Sequence, residues 1–303
     1  MSSPTSSLSS SPASLGSTSP NDELHLLSVT CAGSVRLPLP HVTFRRLSVH
    51  PASRVATVAA DAPLDARSLR LTVTALLHEG VNARLYRAHE DLDDARMDVC
   101  GAEKTTTHRS REFVLKTDFL FAEGRREDTL AREATHYGTA ASLQGVVIPR
   151  CFGLFEARPK GPFGRPIRCL LLEYCGAPLR ARKLSSLPRQ VKARIIDKAF
   201  YFHDVAGMAH GNLWDGHLLA RSSCDDAPAH RSTIHDSCKA LHERIEPAAD
   251  SEPFFVDLSD CTQHACHCTM EVVEGDPKPS PSEFKCKEVW ELVCALGVWG
   301  SES

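Results

Sequence analysis

The chain changes its hydrophobic period part-way along, and that change limits what it can fold into. Up to about residue 174 the apolar residues fall in short alternating or continuous runs. From Gln190 they fall on one face of a long helix. Leu69-Arg70-Leu71-Thr72-Val73-Thr74-Ala75-Leu76-Leu77 alternates for much of its length, which argues a half-buried strand. Gly80 supplies a turn, and Ala83 to Ala88 reads as the returning strand. Strands come first and helices afterwards, so an α+β arrangement is expected, with sheet and helices in separate layers.

The remaining elements follow the same order. Glu112 to Lys116 reads as a strand, and Glu127 to Leu143 has helical composition. Val146-Val147-Ile148-Pro149 and Cys151 to Phe155 read as a hairpin pair, and Arg168 to Tyr174 as a strand ended by Gly176 and Pro178. Gln190 to Ala206 is a helix whose apolar face carries Val191, Ile195, Ile196, Ala199, Phe200 and Phe202. Cys286 to Val298 reads as a final helix, with Val289, Leu292, Val293 and Leu296 on one side.

Residues 1–22 are mostly Ser, Pro and Thr and have too little apolar surface to offset the entropy of ordering, so a disordered tail with phosphorylatable hydroxyls is expected. Residues 23–65 contain β-like pieces, His41 to Phe44 and Val55 to Val58, broken by Pro38, Pro40 and Pro51. They read as an N-terminal extension without an evident role. Residues 221–252 lack a strong period and read as an insertion, with a short helix near Ser237 to Arg244.

Composition excludes several classes of function. The net charge of −3 and an aromatic share of 6% argue against nucleic acid as a partner. No run approaches the roughly 20 apolar residues of a membrane span, and the N-terminus lacks the apolar centre of a signal peptide. An intracellular protein, cytoplasmic or nuclear, is expected. Its twelve cysteines are then reduced and mostly buried rather than a disulfide framework.

Chemistry concentrates in His210-Gly211-Asn212-Leu213-Trp214-Asp215-Gly216-His217-Leu218-Leu219 and in Val256-Asp257-Leu258-Ser259. These segments resemble the catalytic loop, H-R-D-L-x-x-x-N, and the metal-binding D-F-G turn of the protein kinase-like superfamily. Other segments extend the resemblance in family order. Phe113-Val114-Leu115-Lys116 is similar to the V-A-I-K strand, and Glu133 lies within the following helix. Leu170 to Gly176, with Glu173 and Cys175, is similar to the hinge, and Lys287-Glu288-Val289-Trp290 to a D-V-W helix start. H-G-D-type loops and L-G-V-W endings recur in degenerate kinase-like proteins of filamentous fungi, and Leu296-Gly297-Val298-Trp299 has that ending.

The resemblance implies a two-lobed protein kinase-like fold: a β-rich N-lobe over residues 66–176, and a helical, apparently truncated C-lobe over 177–303. It implies ATP and Mg²⁺ in the cleft, with possible protein partners. Lys116 would contact phosphates, Glu133 would hold Lys116, and Asp257 would hold the metal. Gly80 is what remains of the Gly-rich loop, and the backbone at Glu173 and Cys175 would hold the base.

Departures from the family pattern point towards lost chemistry. Asn212 stands at the catalytic Asp position, and an amide cannot accept a hydroxyl proton as a carboxylate does. His217 stands at the metal-binding Asn position, where Mg²⁺ prefers oxygen. Asp215 is a candidate substitute base, and His210 a structural histidine. The expected function is therefore a pseudokinase that binds nucleotide or serves as an interaction module. The alternative is a weak ATP-dependent Ser/Thr or small-molecule kinase.

Cys261, His264, Cys266, His267 and Cys268 form a second cluster, with Cys224, His235 and Cys238 at unfixed distance. Paired C-x-x-C spacing is absent, so the cluster reads as part of an activation segment rather than a zinc site. The basic run from Leu179 to Lys183 reads as a solvated face.

Overall fold

The computed structural model describes residues 24–32, 41–50, 55–58, 67–80, 83–91, 111–118, 129–158, 166–179, 184–221 and 249–300. The tail expected over 1–22, most of the insertion expected over 221–252 and nearly all of the basic run lie outside the described residues.

Eight strands form the main sheet: β1 (Leu24–Cys31), β2 (His41–His50), β3 (Val55–Val58), β4 (Arg67–Glu79), β5 (Ala83–Glu90), β6 (Glu112–Asp118), β7 (Cys151–Ala157) and β8 (Ile167–Glu173). Neighbours run β1-β4-β5-β6-β8-β7-β2, and β2 pairs back onto β1, so seven strands close a barrel while β3 adds to β2. Every pairing is antiparallel except β1 with β4, which run parallel with Val29 opposite Leu71. Closure leaves no unpaired edge among the seven strands to template aggregation.

This closure overturns the expected two-lobed protein kinase-like fold. Residues 24–50, read from the sequence as an extension, supply the two strands that bridge β4 and β7. The helical part is also smaller than a helical lobe requires. Four α-helices are described: α1 (Thr129–Thr139), α2 (Arg189–Ala206), α3 (Pro281–Phe284) and α4 (Lys287–Leu296). None is long and apolar enough to cross a membrane.

Strand alternation explains why the protein has two cores. Leu27, Val29, Leu71, Tyr86, Phe113 and Leu115 belong to one cluster that fills the barrel. Val114, Leu170 and Leu172 point the other way and join a second cluster with α1, α2 and α4. With both faces covered, β6 is buried from Phe113 to Thr117 and reads as a continuous run rather than an alternating one. The same alternation puts Lys116 on the outer face with Val114, toward α1.

In α2 the buried residues Val191, Ile195, Ala199 and Phe202 recur at helical spacing and pack against α4, whose buried face is Val289, Leu292, Val293 and Leu296. Gly207 ends α2 in the left-handed conformation, φ 61°, with its N–H bonded to the His203 carbonyl. α3 opens with a capping box between Ser280 and Glu283.

Val146 to Pro149 is not the expected strand. It is a tight turn begun by Gly145 at φ 78°, which buries Val147 and Ile148 completely. Apolarity there serves the second core and not a ladder, a distinction that periodicity cannot make in four residues. The short strands β9 (Ala177–Pro178), β10 (Met208–Ala209), β11 (Leu218–Arg221), β12 (Glu252–Phe255) and β13 (Thr262–Gln263) make two small sheets, β12-β11-β9 and β10-β13.

Candidate functional site

The site is built around one buried ammonium. Lys116 on β6 is 7% exposed, and its Nζ lies 2.7 Å from Glu133 Oε2 and 2.8 Å from Asp257 Oδ1. Register places Leu85 and Leu170 on either side of Lys116, so the charge stands on an apolar floor. Glu133 is 1% exposed on α1. One helical turn on, His136 donates from Nδ1 to the Leu258 carbonyl at 2.6 Å. Positions i and i+3 of one helix thus reach the Asp257 turn, Glu133 by way of Lys116 and His136 at the Leu258 carbonyl.

Asp257 has left-handed backbone, φ 64° and ψ 67°, which for a non-glycine residue costs on the order of 1 kcal/mol or more. The contacts around it select that conformation. Burial alone would raise its carboxyl. The charge and hydrogen bond of Lys116, with help from Ser259, outweigh burial and hold it at about 2. Burial pushes Glu133 up, against the pull of Lys116. Burial would lower Lys116, but the charges of Glu133 and Asp257 together keep its pKa above the ordinary lysine value.

A cleft of about 240 Å³ opens beside this trio, lined by Gly80 and Leu85 of the β4–β5 hairpin, Leu130 of α1, and Ser259. The second oxygen of Asp257 faces His217, whose Nε2 is 3.5 Å away. The other ring nitrogen, Nδ1, donates to the Asn212 carbonyl at 2.8 Å. In a neutral imidazole that bond leaves Nε2 with its lone pair toward Asp257, so the two groups present a nitrogen and an oxygen to one point.

Asn212 donates from Nδ2 to Asp260 Oδ2 at 3.2 Å. Its loop is tied down from behind by Glu288 at the start of α4, which accepts the backbone N–H of His210 at 2.9 Å and of Gly211 at 2.6 Å. His210 is fully buried and donates from Nε2 to the Val256 carbonyl at 2.9 Å, while its Nδ1 has no hydrogen-bond partner among the described residues. Burial lowers its pKa to about 4, so the ring is neutral and structural. Gly211 has φ 79°, and a Cβ there would stand 2.5 Å from the Asp260 carbonyl oxygen.

Lys116, Glu133, Asp257 and Gly80 therefore share the cleft, with His217 and Asn212 behind Asp257. Glu173 and Cys175 do not line it. Arg221 donates from Nη2 to Glu173 at 2.9 Å, to the Tyr174 carbonyl at 3.0 Å and to the Cys175 sulfur at 3.2 Å, and burial raises the Cys175 thiol to about 12. Asp215 lies in the 3₁₀ turn Asp215–His217.

Sequence reading missed Asp260, His136 and the double role of Glu288. Asp260 sits three residues after Asp257, a spacing that a short 3₁₀ turn makes meaningful. His136 carried no signal beyond its i+3 spacing from Glu133. No family model matches this chain, and no curated protein does.

Proposed function

We propose that the cleft under the β4–β5 hairpin binds a nucleoside triphosphate together with a divalent cation, and that the chain acts as a nucleotide-responsive interaction module with impaired phosphoryl transfer. The observation that carries this reading is Lys116 held between Glu133 and Asp257. A desolvated ammonium of fixed direction is what a phosphate chain needs, and it is the arrangement protein kinase-like phosphotransferases use. Here the constellation is carried on a closed barrel.

Charge decides the role of the cation. One ammonium against two carboxylates leaves the trio one net negative charge, which repels a bare triphosphate. A cation on Asp257 reverses that sign, so nucleotide and metal enter together. ATP with Mg²⁺ is the expected pair. The nitrogen of His217 beside Asp257 also suits Mn²⁺, which accepts imidazole more readily than Mg²⁺ does.

Transfer is impaired because the amide of Asn212 cannot take a proton from an attacking hydroxyl. General-base assistance is typically worth about 10²–10⁴ in rate. Free thiols at every described cysteine accord with an intracellular setting, where a protein partner would read the nucleotide state. A weak phosphotransferase is the second reading. It is favoured by Asp260, a carboxylate in contact with Asn212 that could serve in its place.

Equilibrium dialysis of ATP with Mg²⁺ or Mn²⁺, run beside an assay for ADP release, separates these readings. The module predicts saturable cation-dependent binding with no ADP above background. Steady ADP release that is lost in Asp260→Asn selects the weak enzyme, and no binding with either cation refutes both.

A further inference from the structure

Outside the cleft lining, four residues from three separate elements converge. His203 is in the last turn of α2, His264 and Cys266 follow β13, and Cys286 is the N-cap of α4. One ligand atom from each lies within 4.8 Å of the other three. Cys286 Sγ is 3.5 Å from His203 Nδ1 and 3.8 Å from His264 Nε2, although these partners are 83 and 22 residues away in sequence. We propose that His203, His264, Cys266 and Cys286 form a structural Zn²⁺ site.

Three observations support the assignment. The first is spacing. Tetrahedral Zn²⁺ with Zn–S near 2.3 Å and Zn–N near 2.05 Å puts neighbouring sulfur and nitrogen ligands about 3.5 Å apart. Both sulfur–nitrogen separations here are within a few tenths of an ångström of that figure. Two imidazoles and two thiols whose ligand atoms gather within 4.8 Å are the donor set of zinc rather than magnesium or calcium.

The second is the outer support. His203 bonds through Nε2 to Glu288 at 2.7 Å, which fixes its ring and leaves Nδ1 turned to the cluster. A carboxylate behind a histidine ligand is the usual second layer of a zinc site. His264 is placed by backbone: β13 pairs with β10 just after α2 ends, and the His264 N–H bonds to the Gly207 carbonyl at 2.8 Å. Its ring meets that of His203 edge to face, centroids 4.6 Å apart.

The third is what the site would hold. Residues 264–273 form no helix or strand, and a metal between α2, this segment and α4 would fix it where hydrogen bonds are few. Four protein ligands leave no open position, so the role is structural and not catalytic. Cys268 lies outside the group, with its thiol directed to the Met270 carbonyl. Cys261 and His267 are also outside it. Of the cluster seen in the sequence, only His264 and Cys266 take part.

Glu288 joins this site to the loop at His210 and Gly211, so metal and loop share one anchoring carboxylate. The proposal is independent of nucleotide binding in the cleft.

The test uses the full chain, purified under reducing conditions without chelator, and measures metal by mass spectrometry. One zinc per chain is expected, falling below a tenth in the double variant Cys266→Ser with Cys286→Ser and unchanged in Cys294→Ser. Because a buried serine at Cys286 can impair folding, the wild-type chain is also titrated with Co²⁺. Tetrahedral d–d bands with thiolate-to-cobalt charge transfer support the site, and Glu288→Gln should weaken the affinity roughly 10–100-fold. The proposal is overturned by zinc retained in the double variant, by an octahedral cobalt spectrum without charge transfer, or by a Cys266–Cys286 disulfide in the metal-free wild type.

Discussion

Lys116 and Asp257 stand 141 residues apart in sequence and meet at 2.8 Å across the junction of the barrel and the helical layer. Nothing local brings them together. β6 presents the lysine because strand alternation turns residue 116 outward, and α1 holds the aspartate turn directly through His136 and, by way of Lys116, through Glu133. The cleft is therefore only as well formed as the packing of α1 on the barrel.

Removing the ammonium should leave the buried Glu133 carboxylate facing Asp257 with no cation between them. Lys116→Met is expected to cost about 3 kcal/mol, because one partner of a buried pair is lost while the other stays charged. Lys116→Met combined with Glu133→Gln should cost less than the sum of the single changes by at least about 1 kcal/mol. Denaturant midpoints for the four proteins give this coupling directly, and strict additivity would mean that the two side chains do not share their charge.

His210 makes stability depend on pH. Its folded pKa of about 4 lies below the ordinary 6.5, so the unfolded chain takes up a proton that the folded chain refuses. This contribution is complete above pH 6.5 and is lost as pH falls from there toward 4. Between pH 7 and pH 5 the loss should be about 2 kcal/mol. Unfolding free energies at the two pH values, compared with those of His210→Asn, isolate it. A difference that persists unchanged in the variant would place the titration elsewhere.

Two left-handed glycines separate strain from collision. Gly207, φ 61°, has open space where a Cβ would go, whereas a Cβ on Gly211, φ 79°, would reach 2.5 Å from the Asp260 carbonyl oxygen. Gly207→Ala should cost about 1 kcal/mol, the penalty of left-handed backbone alone. Gly211→Ala should cost roughly twice that or more, and should also disturb the Asn212–Asp260 contact. Equal losses by chemical denaturation would show that the loop moves aside freely.

Asn212→Asp tests what the amide means. It places a second carboxylate against Asp260, so affinity for divalent cations should rise while turnover stays at background. A gain in turnover of about 10²–10⁴ would restore the reading as a weak phosphotransferase. The informative pairing is cation affinity and ADP release on the same preparation.

Sequence carried the local parts of this structure well. Alternation in β4 and β5 marked a hairpin, and the apolar faces of α2 and α4 fall on the residues that helical spacing selects. Glu133 was named as a partner for Lys116 by the kinase-like resemblance, and the two meet at 2.7 Å. Barrel closure was not legible. It depends on a parallel pairing of β1 with β4 and on β2 reaching β7, whereas the prolines at 38, 40 and 51 make this stretch read as a broken extension. The fold expectation failed there, because motif order constrains which residues meet but not which strands fill the sheet edges. The His203–Cys286 convergence was hidden for a similar reason, since its ligands come from three elements and acquire spacing only through packing.

The central claim is a cleft that takes nucleotide and cation together, and thermal unfolding of the purified chain with ATP tests it most directly. At a hundredfold excess over Kd, binding to the folded state alone adds about 2.7 kcal/mol, a rise in melting temperature on the order of 5 °C for a chain of this size. The account predicts that rise with Mg²⁺ or Mn²⁺, its loss in EDTA, and its absence in Asp257→Ala. An equal rise in EDTA, or in Asp257→Ala, would contradict it.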